Sequence, residues 1–261
     1  MLLDCRPFEE EIIKRLKALP RPTKGLSAVL IGNDPASSSF LKQKERVAHD
    51  LGIKFSILRI DEGEPEAHIQ GKIGVFATDA SIGGIILQLP MPALYSRSAL
   101  IRAIPKEKDI DALREDSSVL PPAVEALKEV LVFLRYNLSS GRVIVVGKGF
   151  LVGAPITDWL LKEGAEVIAM DKESFNQALL STGDLIISGT GVAGLIRGEH
   201  IRAGATCIDF GYGRNNGKLS GDFDEKTVAP KARYLTPVPG GMGPLLVLEL
   251  FKNFFTLTGG R

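Results

Sequence analysis

Short apolar runs, each closed by a glycine, recur along the chain and alternate with stretches of helical periodicity. Such runs end at Gly32, Gly147, Gly189 and Gly211. The residues before these glycines are rich in β-branched side chains, and unbroken apolar runs are typical of strands buried on both faces of a parallel sheet. Helices between successive strands complete βαβ units. The pattern therefore predicts the α/β fold class.

The order of these elements predicts two domains. The first series contains strands at 26–31, 54–61 and 84–89. A second series begins at Gly141, after a long helix that Pro121 and Pro122 open. We therefore place an N-terminal domain at 1–120 and a second domain at 121–244. The last helix, within 245–261, can pack on either domain by its pattern, and we expect it to pack back on the first.

Composition and charge exclude several classes of protein. The 261 residues carry 32 basic and 31 acidic side chains, so no net field favours nucleic acid or an anionic membrane. No apolar run approaches the ~20 residues of a membrane span, and acidic residues come too early for a secretory signal. Two cysteines and three scattered histidines predict neither a disulfide framework nor a metal site. We expect a cytoplasmic protein.

A glycine-rich turn follows one of the apolar strands. Gly147, Gly149 and Gly153 lie between the strand RVIVV and a helix. This arrangement lets a pyrophosphate approach the backbone at the positively polarised start of a helix, although glycines also end strands for structural reasons alone. Asp171 ends the next strand, where a carboxylate commonly holds the ribose hydroxyls of NAD. Lys148 and Lys172 would instead favour the phosphate of NADP, so the two signals conflict.

Four polar or aromatic positions in the first domain are candidates for chemistry. Phe40 and Lys44 share a helix face, where they could stack a flat ligand and carry a proton, but the spacing alone favours Lys44 as a solvated charge. Gln88 closes an apolar strand at the end where α/β sheets place ligands, unless backbone groups satisfy it. Asp111 and its neighbour Asp109 could instead cap a turn.

Together these segments resemble the methylenetetrahydrofolate dehydrogenase/cyclohydrolase family. The matching stretches, in family order from about residue 26 to residue 246, are VLIGNDPASSSFLKQK, GGIILQLPMP, PKEKDIDA, VVGKGFLVGAP, GATCIDFG, KLSGDF and YLTPVPGGMGP. The resemblance implies two α/β domains with a cleft between them, of which the C-terminal one is Rossmann-like with a parallel sheet. It also implies a homodimer.

The resemblance assigns roles to individual residues. Lys44 becomes the central catalytic residue, Gln88 supports it, and Asp111 holds the pterin ring. Phe40 stacks on the substrate, and a turn bordering the cleft contains Pro239, Gly240 and Gly241. The implied cofactor residues are Gly147, Lys148, Gly149, Gly153, Asp171 and Lys172.

The chain departs from the family pattern at several of these positions. The family tyrosine is Phe40, which can stack but has no hydroxyl to hydrogen-bond. The glycine after the pterin aspartate is Ala112, and the C-T-P-x-G segment is reduced to PPAV at 121–124. At the cofactor turn, lysine and glycine replace the family's arginine and serine, and Asp171 replaces a histidine.

The implied reaction oxidises 5,10-methylenetetrahydrofolate with a nicotinamide cofactor and hydrolyses the product to 10-formyltetrahydrofolate. NADP is the cofactor by resemblance, and Asp171 keeps NAD open. Phe40 motivates one alternative, a dehydrogenase with weak or no cyclohydrolase activity. The reduced segment at 121–124 motivates another, a non-catalytic folate- or nucleotide-binding relative.

Overall fold

The computed structural model describes residues 1–139, 141–215 and 217–259. Helices alternate with strands, and the strands of the two larger sheets run parallel, so the predicted α/β class is confirmed. The contacts divide the chain into two compact units. We call Ile12–Pro122 with Val247–Arg261 the three-stranded unit, and Met1–Glu11 with Ala123–Leu246 the five-stranded unit.

The three-stranded unit is built on a small parallel sheet. Its strands are β1 (Gly25–Ile31), β2 (Phe55–Ile60) and β3 (Ile82–Leu87), in the order β2-β1-β3. Its helices are α1 (Arg6–Ala18), α2 (Pro35–Asp50), α3 (Glu66–Thr78), α4 (Arg97–Arg102) and α9 (Met242–Thr258). The division between the units falls within α1 and again within α9. The Nδ2 of Asn253 in α9 donates to the carbonyl oxygens of Ile110 and Leu120, both at 2.9 Å, in this same unit.

Strand β3 positions the segment that carries Asp111. All six of its residues are buried, as the unbroken apolar run predicts. Gly84 has no side chain, and a methyl group there would lie 2.9 Å from the side chains of Ile110 and Phe254. Because such a contact is too short, glycine is what lets the 109–111 segment approach the strand. Ile85 and Asp109 pair there in a β-bridge.

The five-stranded unit contains a larger parallel sheet and a separate hairpin. The sheet strands are β4 (Arg142–Val146), β5 (Glu166–Met170), β6 (Leu185–Ser188), β7 (Thr206–Asp209) and β10 (Tyr234–Leu235). The hairpin pairs β8 (Gly213–Asn215) with β9 (Lys218–Ser220). The helices are α5 (Pro122–Phe133), α6 (Gly153–Lys162), α7 (Gln177–Leu180) and α8 (Glu225–Val228).

The strand order of this sheet places its topological switch point at the end of β4. The order is β10-β7-β6-β4-β5. β5 therefore lies on one side of β4, and the next strand in the chain, β6, lies on the other side. Ligands of open α/β sheets bind outside the carboxyl ends of the strands at such a switch point. Gly147 follows β4 directly, so the predicted glycine turn lies at this place.

The first residues of the chain pair with the edge of this sheet. The backbone N–H of Leu3 donates to the carbonyl of Leu235 at 2.8 Å, and the amino group of Met1 donates to the carbonyl of Ala232 at 3.0 Å. Met1–Glu11 therefore belong to the five-stranded unit, whereas the sequence prediction assigned them to 1–120. The bridge involves a single residue, Leu2, and one residue is too few for a periodic pattern to predict the pairing.

Across residues 1–139, 141–215 and 217–259, no helix combines the length and apolar character that crossing a membrane demands. Within the same ranges, no three histidine, cysteine, aspartate or glutamate side chains gather closely enough to hold a metal ion.

Candidate functional site

Helix α2 carries two of the predicted site residues, Phe40 and Lys44, one turn apart. The helix begins as predicted, with Pro35 in its first turn and the carboxylate of Asp34 accepting the Ser37 N–H at 2.6 Å. Phe40 is half-buried, and only 13% of the Lys44 side chain is exposed. The alternative interpretation of Lys44 as a solvated charge is therefore wrong.

Lys44, Gln88 and Asp111 come together from three separate segments. The Nζ of Lys44 donates to the Oε1 of Gln88 at 3.2 Å and lies 3.9 Å from the Oδ2 of Asp111. Gln88 directly follows β3, and its Nε2 donates to the carbonyl of Leu89 at 2.7 Å. An ammonium group only donates hydrogen bonds, so the Gln88 atom that faces Lys44 must be the amide oxygen. The bond from the Gln88 Nε2 to the Leu89 carbonyl requires the same orientation of the amide. The site is thus a lysine held between an amide oxygen and a carboxylate.

The two neighbouring aspartates, Asp109 and Asp111, have different surroundings. Asp109 is fully buried, and its carboxylate accepts the backbone N–H groups of Leu113 at 3.1 Å and Arg114 at 2.8 Å. Asp109 therefore caps the turn, the role that the sequence left open for both aspartates. Asp111 faces Lys44 instead. Burial raises the pKa of the Asp111 carboxyl, and the Lys44 ammonium offsets part of that rise.

The glycine turn at 147–153 packs backbone directly against backbone. Gly147 has a φ of 98°, and a methyl group on Gly153 would overlap the carbonyl oxygen of Gly147. At Gly149 the closest heavy atom to an added methyl would be the Gly189 carbonyl oxygen, at 3.9 Å. The turn therefore needs glycine at 147 and 153, has room beside Gly149, and leads into the ten-residue helix α6. These features fit the pyrophosphate of a dinucleotide.

Lys148 and Asp171 form an ion pair at the rim of this turn. The Nζ of Lys148 lies 2.9 Å from the Oδ2 of Asp171, whose Oδ1 accepts the Ser174 hydroxyl at 2.7 Å. These two bonds hold the pKa of the Asp171 carboxyl well below its usual range. Lys172 is exposed. Asp171, which would favour NAD, is thus paired with Lys148, one of the two lysines that would favour NADP.

The remaining predicted residues lie in the turn between β10 and α9. Pro239, Gly240 and Gly241 belong to the five-stranded unit, and Gly240 has a φ of 87°. The Lys44 site belongs to the three-stranded unit. Each unit therefore contains its own group of predicted site residues.

Comparison with known proteins identifies the family. The family described as "Tetrahydrofolate dehydrogenase/cyclohydrolase, catalytic domain" matches residues 5–111, and the one described as "Tetrahydrofolate dehydrogenase/cyclohydrolase, NAD(P)-binding domain" matches residues 121–259. The chain belongs to the tetrahydrofolate dehydrogenase/cyclohydrolase family. The resemblance inferred from the sequence motifs is therefore confirmed.

Relatives of this family match over almost the whole chain. The bifunctional protein FolD of Lactobacillus gasseri is 34% identical over 273 residues, covering 98% of this chain and 97% of the relative. That of Bacillus subtilis is 33% identical, covering 95% and 93%. The crystal structure of the bifunctional FolD of Campylobacter jejuni is 27% identical with a TM-score of 0.93, covering 100% of this chain and 99% of that one. FolD of Trypanosoma brucei, solved with NADP and an inhibitor, is 26% identical with a TM-score of 0.92, covering 99% and 97%.

Sequence reasoning missed a cluster of buried polar side chains in the NAD(P)-binding domain of this family member. The cluster contains Ser188, Asp209, Asp222 and Thr236, each at most 3% exposed. Both aspartates lie in stretches that match the family, CIDFG and KLSGDF. An aspartate inside an apolar strand was the available signal, because a buried carboxylate needs hydrogen-bond donors around it.

The backbone is strained at Ala112, the residue that follows Asp111. Ala112 has a φ of 52°, a left-handed conformation that costs a residue with a Cβ about 1–2 kcal/mol. We expect Ala112→Gly to raise the free energy of unfolding by about 0.5–1 kcal/mol, since glycine's greater loss of entropy offsets part of the gain. Denaturant unfolding measures this change. Ala99→Gly, within helix α4, should have the opposite sign, and an Ala112→Gly protein no more stable than the parent would contradict the assignment of strain.

Proposed function

We propose that this chain oxidises 5,10-methylenetetrahydrofolate to 5,10-methenyltetrahydrofolate with a nicotinamide cofactor and hydrolyses the product to 10-formyltetrahydrofolate. The observation that carries the proposal is the convergence of Lys44, Gln88 and Asp111 in a chain of this family. A non-catalytic relative would have no reason to keep these three polar side chains, because a buried ion pair is often no more stable than well-packed apolar residues of similar volume.

The hydrolytic step needs proton movement, and Lys44 is the group placed to supply it. Water adds to the methenyl carbon and loses a proton, and one carbon–nitrogen bond then breaks as its nitrogen gains a proton. The Nζ of Lys44 carries a proton close to the reacting carbon in this proposal. Gln88 holds that atom in place through its Oε1, and the bond from its Nε2 to Leu89 keeps the amide from turning.

Asp111 is the proposed pterin anchor. Its carboxylate can accept hydrogen bonds from the N–H groups on the edge of a pterin ring, which Phe40 would stack against. Lys44 beside it compensates the buried negative charge. In this arrangement Asp111 binds and orients the folate, and Lys44 acts on it.

The proposed role of Asp111 predicts that kcat/KM for the folate falls at low pH, which gives the pH profile an acid limb. Because burial raises its pKa, lowering the pH protonates Asp111 before an ordinary aspartate and removes an acceptor for the pterin. We expect kcat/KM for the folate to fall correspondingly early as the pH decreases, measured at saturating dinucleotide. Asp111→Asn should have low kcat/KM without this limb, and an unchanged acid limb in that variant would assign it to another group.

The oxidation relies on the five-stranded unit. When bound, the nicotinamide supplies a hydride acceptor for the methylene carbon that bridges two folate nitrogens. The turn at 147–153 and the start of α6 would hold the pyrophosphate, and Lys148, Asp171 and Lys172 lie where the adenosine ribose is expected. We propose NADP as the preferred cofactor, supported by the two lysines. Asp171 leaves a measurable activity with NAD.

Asp171 should oppose NADP through its charge. Two like charges about 4 Å apart repel each other by about 1 kcal/mol in water and by more at a protein surface, so a carboxylate beside a 2′-phosphate would weaken its binding. We expect Asp171→Asn to raise the ratio of kcat/KM with NADP to kcat/KM with NAD by about 10-fold. Asp158→Asn, the same change at an exposed position on α6, should leave the ratio unaltered. A ratio that stays constant in Asp171→Asn would place the ribose elsewhere.

One observation favours a second candidate function. Phe40 lacks the hydroxyl of the family tyrosine, so cyclohydrolase activity could be weak beside a competent dehydrogenase. The experiment that separates the two is hydrolysis of methenyltetrahydrofolate without any dinucleotide, compared with its spontaneous rate. Enzymatic hydrolysis as fast as the dehydrogenase step supports the bifunctional proposal, and hydrolysis at the spontaneous rate supports the monofunctional one.

We also propose that the chain is a homodimer and works in the cytoplasm. The family resemblance supports the dimer, and the near-zero net charge does not oppose self-association. Light scattering of the purified chain tests the dimer directly, since a mass of one chain at working concentration would refute it.

A further inference from the structure

Asp222 is a fully buried carboxylate that binds the loop after β6. Its Oδ2 accepts the hydroxyl of Ser188 at 2.7 Å and the backbone N–H of Thr190 at 2.6 Å. Ser188 is the last residue of β6, so both bonds hold the point where this strand becomes a loop. Hydrogen bonds are electrostatically stronger in a buried, low-dielectric environment than in water.

The loop that Asp222 holds lies directly against the glycine turn. The backbone N–H of Gly189 donates to the carbonyl of Val146 at 2.9 Å. A methyl group on Gly147 would lie 2.8 Å from the Gly189 carbonyl oxygen, and one on Gly189 would lie 2.8 Å from the side chain of Val152. Any shift of the 188–190 loop would therefore displace the turn at 147–153.

Asp222 is itself held in place by a second aspartate. Its backbone N–H donates to the Oδ1 of Asp209 at 3.1 Å, and the same carboxylate accepts the N–H groups of Gly211 at 2.7 Å and Phe223 at 3.0 Å. Asp209 is the last residue of β7. The position of Asp222 is therefore fixed by the sheet, and the 188–190 loop is fixed by Asp222.

Burying the Asp222 carboxyl group costs free energy of folding that good packing does not require. The Oδ1 of Asp222 has no hydrogen-bond partner among the residues that the structure describes, although the side chain is fully buried. A buried acceptor without a partner destabilises a fold, and an apolar residue could fill the same space at lower cost. What an apolar residue could not do is bind the Ser188 hydroxyl and the Thr190 N–H.

We propose that Asp222 is a positioning residue for the nicotinamide cofactor, which holds the 188–190 loop against the glycine turn so that the dinucleotide site is preformed. This inference rests on the proposed function, because it takes the turn to be the dinucleotide site. It predicts that the effect of Asp222 is confined to the dinucleotide. Hydrolysis of methenyltetrahydrofolate, which uses no dinucleotide, serves as an internal control for the rest of the molecule.

The experiment compares Asp222→Ala, Asp222→Asn and Asp224→Asn with the unaltered chain. Dissociation constants for NADP and for NAD are measured by calorimetry, and hydrolysis of methenyltetrahydrofolate is measured without dinucleotide. Asparagine keeps one acceptor oxygen for Ser188 and Thr190. Asp224, two residues on, is the N-cap residue of α8, but its side chain makes no capping hydrogen bond, so Asp224→Asn provides the matched loss of charge.

We expect Asp222→Ala to weaken dinucleotide binding by roughly 10- to 100-fold, the effect of losing two bonds to a buried carboxylate. Asp222→Asn should restore most of the affinity, Asp224→Asn should bind normally, and hydrolysis should change by less than about twofold throughout. Hydrogen exchange gives a second readout, in which the Thr190 amide of Asp222→Ala exchanges faster while the amides of β4 stay protected.

Two results would overturn the inference while leaving the proposed function intact. One is dinucleotide affinity in Asp222→Ala equal to that of the unaltered chain. The other is an equal loss of binding and hydrolysis in both Asp222 variants, which would indicate a general structural role. If Asp222→Ala does not fold, Ser188→Ala tests the same contact, with an expected loss of affinity of about 3- to 10-fold, and unchanged affinity overturns the inference. An unaltered chain that binds neither dinucleotide would refute the proposed function, and this inference with it.

Discussion

Lys44→Met is expected to lower the rate of methenyltetrahydrofolate hydrolysis by about 10²- to 10⁴-fold, the usual contribution of a positioned proton-transfer group. Methionine keeps the length and apolar stem of lysine but cannot carry a proton, so Gln88 and Asp111 lose the group between them. The dehydrogenase step should fall less, because hydride transfer depends on alignment of folate and cofactor. Both rates are measured on the same preparation, with the folate near saturation.

The matched control for this prediction is Lys42→Met. Lys42 lies on the same helix two residues earlier and is exposed, so the same substitution removes a solvated charge. Its expected effect on either rate is less than about twofold. A Lys44→Met protein that folds normally and hydrolyses methenyltetrahydrofolate at the parent rate would remove Lys44 from the mechanism.

Gly153→Ala is expected to abolish detectable dinucleotide binding. The added methyl would overlap the carbonyl oxygen of Gly147, and both are backbone positions that cannot turn away. The turn must open, so we also expect the unfolding free energy of the five-stranded unit to fall by at least about 2 kcal/mol. Calorimetric titration with NADP and thermal unfolding measure the two effects. Methenyltetrahydrofolate hydrolysis, assigned to the Lys44 site, should be affected less than the oxidation.

Gly149→Ala is the control on the same turn. A methyl there would be in ordinary contact at 3.9 Å, and the family carries a serine at this position, so binding and stability should stay near those of the parent. Equal effects of the two substitutions would mean that the close approach of Gly153 to Gly147 does not shape the site.

The regular elements were predictable from sequence because their signals are local. Strand β3 is an unbroken apolar run, and α2 has its cap at Asp34 and its proline at the first turn. The hairpin β8–β9 and the pairing of Leu2 with Leu235 were not predicted. Each involves one to three residues per strand, which is too few for a periodic pattern to develop.

The candidate site was predictable only in part. The glycine turn has a local signature, but the proximity of Lys44 to Gln88 and Asp111 depends on three segments 44 and 23 residues apart along the chain, and only the family motifs pointed to it. The separate roles of Asp109 and Asp111 required the hydrogen bonds themselves. The contacts of Asp222 with Ser188 and Thr190 span more than 30 residues and have no sequence pattern of their own.

The most direct test of the proposed function is to identify the folate product when the unaltered chain is given 5,10-methylenetetrahydrofolate and NADP. The proposal predicts that reduced NADP forms and that the folate is recovered as 10-formyltetrahydrofolate, faster than methenyltetrahydrofolate hydrolyses on its own. Repeating the assay with NAD should give a slower reaction with the same product. No reduced dinucleotide with either cofactor, from a folded protein, would contradict the proposed function.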